Sequence, residues 1–169
     1  MCSIAKTIAK SEKSENISEE EYAACFQKII GGLQASAATM NRMKDHLRPH
    51  VFYNGFRQYL NGYTDSFFRD QGGLIFEGLE DLGAQTIGGA SAAQSSTIQT
   101  IDAFLKIVHN EKENNFLCTQ RQFMPVPHRN FIEWVQQNTP DKVKNTRGYS
   151  EVVSELGRFR SMHIRIVSF

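Results

Sequence analysis

The chain is short of cysteine. Cys2, Cys25 and Cys118 are odd in number and far apart, and no C-x-x-C pair occurs among the 169 residues. Such usage argues against a disulfide framework and against a cysteine-built zinc site. It fits a reducing compartment, and a cytoplasmic location is expected. A surplus of charge of one sign is also lacking. Nineteen basic and eighteen acidic side chains leave a formal charge of +1, without the basic stripe of a nucleic-acid binder. No apolar run is long enough to cross a bilayer, so no membrane partner is expected. The first sixteen residues mix lysine, serine and glutamate and lack the apolar stretch of a secretory signal. Residues 1–17 therefore read as a flexible, solvated leader. No Ser/His/Asp order, paired-carboxylate pattern, H-E-x-x-H or P-loop ending is found, which leaves hydrolase chemistry unsupported.

What is present is an ordinary globular composition, 40% apolar and 22% charged, at a length suited to one domain. Helical periodicity dominates. Ser18 and Glu21 fit a capping box, and Tyr22, Cys25, Phe26, Ile29, Ile30 and Leu33 follow at helical spacing. Gly31-Gly32 weakens that stretch and Pro49 ends it. A second helix is expected over 51–60, with Phe52, Phe56, Tyr59 and Leu60 on its apolar face. Residues 62–89, rich in glycine, read as a long loop with an ordered piece around 74–79. Ile98, Ile101, Phe104, Leu105 and Val108 predict a third helix over 92–109, and residues 116–123 a short helical turn. Pro127 is suited to open a helix over 128–137, and the last helix runs from Tyr149 to the end. Strand signals are sparse, and the expected fold class is all-α, a helical bundle.

In the last helix Val152, Leu156, Phe159, His163, Ile166 and Val167 share one stripe. His163 should then be largely dry: either a core histidine bonded to a carbonyl, or an imidazole offered to a metal. With no second ligand spaced nearby, an iron porphyrin suits it better than zinc, because haem brings four nitrogens of its own. Arg160, one turn earlier, reads as a solvated arginine, a partner for Asp102 on the third helix, or a partner for a haem propionate. Tyr53 and Arg57 are four residues apart, beside Phe52. They form either core packing with a surface arginine or a site for an aromatic amino acid, with rings against the side chain and a guanidinium for the carboxylate. The small-residue run Gly88 to Ser96, which includes Ser91 and Ala92, is a flexible loop or a place where backbone approaches a flat ligand closely. His46, His50 and His109 read as surface or helix-end residues.

In this order, several segments resemble the haem-binding large domain of the indoleamine 2,3-dioxygenase family. They are Arg48-Pro49-His50-Val51-Phe52-Tyr53-Asn54-Gly55-Phe56-Arg57, Leu74-Ile75-Phe76-Glu77-Gly78, Gly89-Ala90-Ser91-Ala92-Ala93-Gln94-Ser95-Ser96, Pro127-His128-Arg129-Asn130-Phe131 and Arg160-Ser161-Met162-His163. The resemblance implies a helical haem-binding domain over 18–169 and a haem b cofactor whose iron His163 ligates. It implies that Arg160 and Asp102 flank the haem, and that Phe52, Tyr53 and Arg57 hold the indole and carboxylate of the substrate. Ser91 and Ala92 would line the distal pocket, Ser91 against the haem, and Arg57, Ser91 and Ala92 would be the residues nearest the chemistry.

The implied reaction is dioxygenation of L-tryptophan or a related indole, in which O2 cleaves the C2–C3 bond to give N-formylkynurenine. Two alternatives stay open: oxygenation of another aromatic amino acid, and a haem-binding relative without turnover. Family members also carry segments before and after the matched core, so a homo-oligomer or a completing chain is a further expectation.

Overall fold

A computed structural model describes residues 1–12, 17–60, 70, 72–85 and 87–167. The elements formed by the described residues are helices, with no strand among them, and Leu74 and Gln85 pair in an isolated antiparallel bridge. The chain divides into two compact units, one of residues 1–41 with 93–168 and one centred on residues 42–92.

The larger unit holds α1 (Cys2–Glu12) and most of α2 (Glu19–His46), followed by α5 (Ser96–Phe104), α6 (Glu111–Gln120), α7 (Val126–Asn138) and α8 (Tyr149–Val167). Its N-terminus corrects the expected leader. Cys2–Glu12 is a helix, and Ile4 and Ile8, one turn apart, are each 1% exposed in the core. The lysines that made this stretch look solvated lie on its outer face, and Lys10 pairs with Glu21 at the start of α2. That hydrogen bond and the Ser18 backbone N–H hold the Glu21 carboxyl below its ordinary range. Ser18 and Glu21 close the expected capping box at 3.2 Å in both directions.

Along α2, Tyr22, Cys25, Phe26, Ile29, Ile30 and Leu33 are all buried, as their spacing requires. The helix continues through Gly31-Gly32 to His46, because this buried stripe outweighs a propensity cost of about 1 kcal/mol per glycine. Phe26 meets Phe104 edge-on at 6.2 Å and Tyr149 at 6.3 Å, which joins α2, α5 and α8. Leu156, Val152, Ile132 and Val135 complete the centre. Burying each such side chain stabilises by about 1.5–3 kcal/mol.

Two helices have boundaries the periodicity did not reveal. The third predicted helix ends at Phe104 instead of near His109. Lys106 adopts φ 51, a left-handed backbone that a helix cannot continue through. Its ammonium group donates to the Gln136 carbonyl at 3.1 Å, and Tyr149 Oη donates to the Leu105 carbonyl at 2.7 Å, so the reversal is held from α7 and from α8. Next, α6 begins at Glu111, earlier than the predicted turn. Asn110 and Glu113 form a capping box there. Gly148 enters α8 at φ 88, a conformation that disfavours other residues.

The smaller unit contains α3 (Pro49–Val51), a π-helical turn (Phe52–Phe56) and α4 (Arg57–Leu60) in unbroken succession. The expected helix over 51–60 thus carries a wide turn in its middle, where the Arg57 N–H reaches back to the Phe52 carbonyl. None of its described side chains is buried; Phe56 is 55% exposed. In the predicted loop, the Leu74–Gln85 bridge closes a tight reversal. Gly73 permits it at φ 114, where a Cβ would stand 2.7 Å from the Gln85 carbonyl oxygen. Residues 61–69, 71 and 86 of that loop, and the Tyr59 side chain, lie outside the described residues.

Candidate functional site

The larger unit brings together three of the residues singled out above. Asp102 is on α5, in its last turn, and its side chain is 7% exposed. Arg160 is on α8 and donates from Nη2 to both Asp102 oxygens, at 2.6 and 2.5 Å. A carboxylate this dry needs a cation beside it. Of the readings open for Arg160, the pair with Asp102 is the one observed, and the solvated arginine is not. The Arg160 side chain remains about one-third exposed, and its Nε and Nη1 donate to no described acceptor.

His163 follows Arg160 by one turn. Its position corrects the expectation of a dry ring: His163 is half-buried, whereas Val152, Glu155, Leu156 and Met162 are the buried residues described in α8. The stripe enters the core at its first half and reaches the edge of the unit at its second half. Neither ring nitrogen of His163 hydrogen-bonds to a described residue, and no described carbonyl ties the ring.

The donor set can be tested against a cofactor. Among the described residues no three His, Cys, Asp or Glu side chains gather as a metal site. A bare ion would find one imidazole there and little else. An iron porphyrin needs one axial imidazole, open space at its plane and a cation for its propionates. A half-buried imidazole with no partner among the described residues, and a carboxylate-anchored guanidinium one turn away, supply the ligand and the cation of that requirement.

In the smaller unit, the wide turn sets the Arg57 guanidinium over the Tyr53 ring, 5.0 Å from its centroid, and Phe52 packs on Phe56 at 6.0 Å. Tyr53 is 50% exposed and Arg57 half-buried. The adjacency expected of Tyr53 and Arg57 is present, as an open aromatic-and-cation patch and not as core. Ser91 is half-buried, and Ala92 opens a 3₁₀ turn over Ala92–Gln94. Just beyond, Ser95 caps α5 by accepting from the Thr97 N–H, and Gln99 binds the Ala93 carbonyl at 2.8 Å.

Two residues had no signal in the spacing. His109, read as a surface residue, is 18% exposed at its side chain, and its Nε2 lies 3.1 Å from Asp102 Oδ2. Gln99, 3% exposed, binds the Ala93 and Leu117 carbonyls and accepts from Arg121 Nε at 2.8 Å, tying the small-residue run to α6. Both depend on the turn after α5, which periodicity does not reveal.

Comparison with known proteins gives this arrangement its context. The family model for indoleamine 2,3-dioxygenase matches residues 2–169. The chain belongs to the indoleamine 2,3-dioxygenase family. A protein named myoglobin from Haliotis madaka is 36% identical over 149 residues, which is 82% of this chain and 38% of that protein. A 6-hydroxytryptophan 2,3-dioxygenase from Fusarium equiseti is 33% identical over 89% of this chain and 39% of its own length. Indoleamine 2,3-dioxygenase 2 of Homo sapiens is 30% identical over 89% of this chain and 38% of its own length. The chain thus spans under two-fifths of the length of these relatives. Among the described residues no helix is long and apolar enough to cross a membrane.

Proposed function

We propose that the chain forms the haem-holding part of a dioxygenase that cleaves the indole C2–C3 bond of L-tryptophan or a close analogue, in the cytoplasm. One observation carries the reading: the His163 imidazole, with no hydrogen-bond partner among the described residues, stands one turn from an arginine fixed by a nearly dry carboxylate. Family membership and the dioxygenase names of two relatives support it.

In this reading His163 would hold haem b through its iron. Asp102 fixes Arg160 through one nitrogen, which leaves Nε and Nη1 to donate to a propionate. The cofactor, when bound, supplies the activation of O2. Arg57 orients the substrate carboxylate, and Phe52 and Tyr53 flank the indole. Ser91 and Ala92 contribute a narrow wall of small side chains. The product is N-formylkynurenine, with both oxygen atoms of O2 retained. A second copy or a completing chain would cover the open patch around Tyr53.

The test is to titrate haem into the purified chain and into His163→Ala, following the Soret band. Tryptophan loss and N-formylkynurenine formation are then measured under reducing conditions. The reading requires a five- or six-coordinate spectrum that the variant loses. An unchanged Soret band in His163→Ala removes the ligand assignment. A second reading, a haem protein without turnover, is favoured by the relative that carries the name myoglobin. Tight haem binding with tryptophan left intact would select it.

A further inference from the structure

We propose that His109 is a positioning residue: it fixes the Asp102 carboxylate, and through it Arg160, on the haem-facing side of α8. The inference rests on the reading that His163 holds haem, and extends it to a side chain with no assigned part.

The backbone makes the contact unexpected. Had α5 continued to His109, the seven residues from Asp102 would span a rise of about 10.5 Å. Instead the helix ends at Phe104, Lys106 turns left-handed, and the Ile107 N–H returns to the Asp102 carbonyl at 3.0 Å. His109 is thereby folded back over the helix it left. The clamps from Lys106 to Gln136 and from Tyr149 to Leu105 secure the reversal on one side. The Asn110–Glu113 capping box begins α6 immediately after it. A surface residue would need none of this restraint.

The hydrogen-bond roles follow from chemistry. A carboxylate only accepts, so the His109 Nε2 carries the proton in the 3.1 Å contact with Asp102 Oδ2. Arg160 approaches both oxygens from α8 through one nitrogen, a contact that leaves the carboxylate plane free to rock. The third bond, from a different element, removes that freedom. Around the ring, Glu113 Oε2 stands 3.7 Å from Nδ1, and Lys106, Arg121, Asp141 and Lys144 line the same cleft of about 390 Å³. Groups that hold a metal ligand in place alter the affinity of the site by about 10–100-fold, and His109, acting further out through Asp102 and Arg160, belongs at the low end of that range.

The experiment compares His109→Gln with His109→Asn. A glutamine amide nitrogen stands near the place of Nε2 and restores the donor, whereas an asparagine amide is too short to reach Asp102. Both keep a polar group in a partly dry site, so simple loss of polarity is common to them. In the cofactor-free chain, NMR would follow solvent exchange of the Arg160 guanidinium protons, assigned by their disappearance in Arg160→Lys. Exchange is expected to rise several-fold in His109→Asn and to stay within about twofold of wild type in His109→Gln. Haem affinity should fall by about tenfold in His109→Asn and recover in His109→Gln. Wild-type exchange in a folded His109→Asn chain overturns the proposal, as does failure of glutamine to restore it. If the asparagine variant does not fold, His109→Ala takes its place on the same criteria. If wild type takes up no haem, the ligand reading fails, while the Arg160 exchange comparison still decides the part played by His109.

Discussion

Single side chains in this molecule are decided by whether their polar ends find partners. Tyr22 and Tyr149 both join the aromatic cluster around Phe26, yet they differ at the hydroxyl. Tyr149 donates to the Leu105 carbonyl at 2.7 Å, whereas the Tyr22 hydroxyl is buried with no hydrogen-bond partner among the described residues. Removing a satisfied hydroxyl loses a bond; removing an orphaned one relieves a desolvation cost. Tyr149→Phe should therefore destabilise by about 1 kcal/mol and Tyr22→Phe stabilise by about 0.5–1 kcal/mol. Urea unfolding midpoints of the two variants should move in opposite directions, and movement in the same direction would contradict the assignment.

Cys25 is decided by burial in the same way. Burial pushes its thiol above the ordinary range, while Cys2 and Cys118 are exposed. At pH 8 a thiol reagent should label Cys2 and Cys118 quickly and reach Cys25 only on unfolding. The sign of the linkage follows. A folded-state value above the unfolded one favours the fold while the thiol is protonated, so this contribution is complete below a pH of about 8.5. It is lost as pH rises through the raised value. Unfolding midpoints in Cys25→Ala should lack the part of the alkaline decline that belongs to this group.

Among the elements, α5 and α8 share one ion pair that connects the fold to the candidate site. Asp102 is nearly dry and Arg160 one-third exposed, so solvent screening keeps the coupling below that of a fully buried pair. A double-mutant cycle with Asp102→Asn and Arg160→Gln should give a coupling energy of about 1 kcal/mol. A value near zero would mean that the contact orders nothing. Periodicity made the fold class and α8 legible, but it left Arg160 reading as solvated; the pair with Asp102 was one open alternative, which the family resemblance singled out. The capping box at Ser18 was readable from two residues. The end of α5 was not. It is set by the left-handed Lys106 and its tertiary clamps, whose partners are about 30 and 44 residues away along the chain. His109 therefore looked like a helix-end residue, and its place beside Asp102 had no spacing to betray it. Similarly, the second half of the α8 stripe carries the same apolar pattern as the first but runs past the core, which leaves His163 half-buried.

Across the whole molecule, burial is unevenly divided. The unit of residues 1–41 with 93–168 contains Phe26, Phe104, Leu105, Ile132, Val135, Val152 and Leu156 at its centre. Among the described residues of 42–92 not one is buried, and Val51, Tyr53, Phe56, Ile75, Phe76, Leu79 and Leu82 are all exposed. The periodicity that predicted an apolar face over 51–60 was real, but a face on a helix does not say what covers it. A segment with so few buried contacts opens at little free-energy cost, whereas cleavage within α5 or α8 requires the core itself to open. Brief chymotrypsin treatment followed by mass spectrometry should therefore give first cuts next to residues such as Tyr53, Phe76 or Leu79, while the stretch from α5 to α8 survives. First cuts inside α5 or α8 would show that the stability of the two units has been ranked the wrong way round.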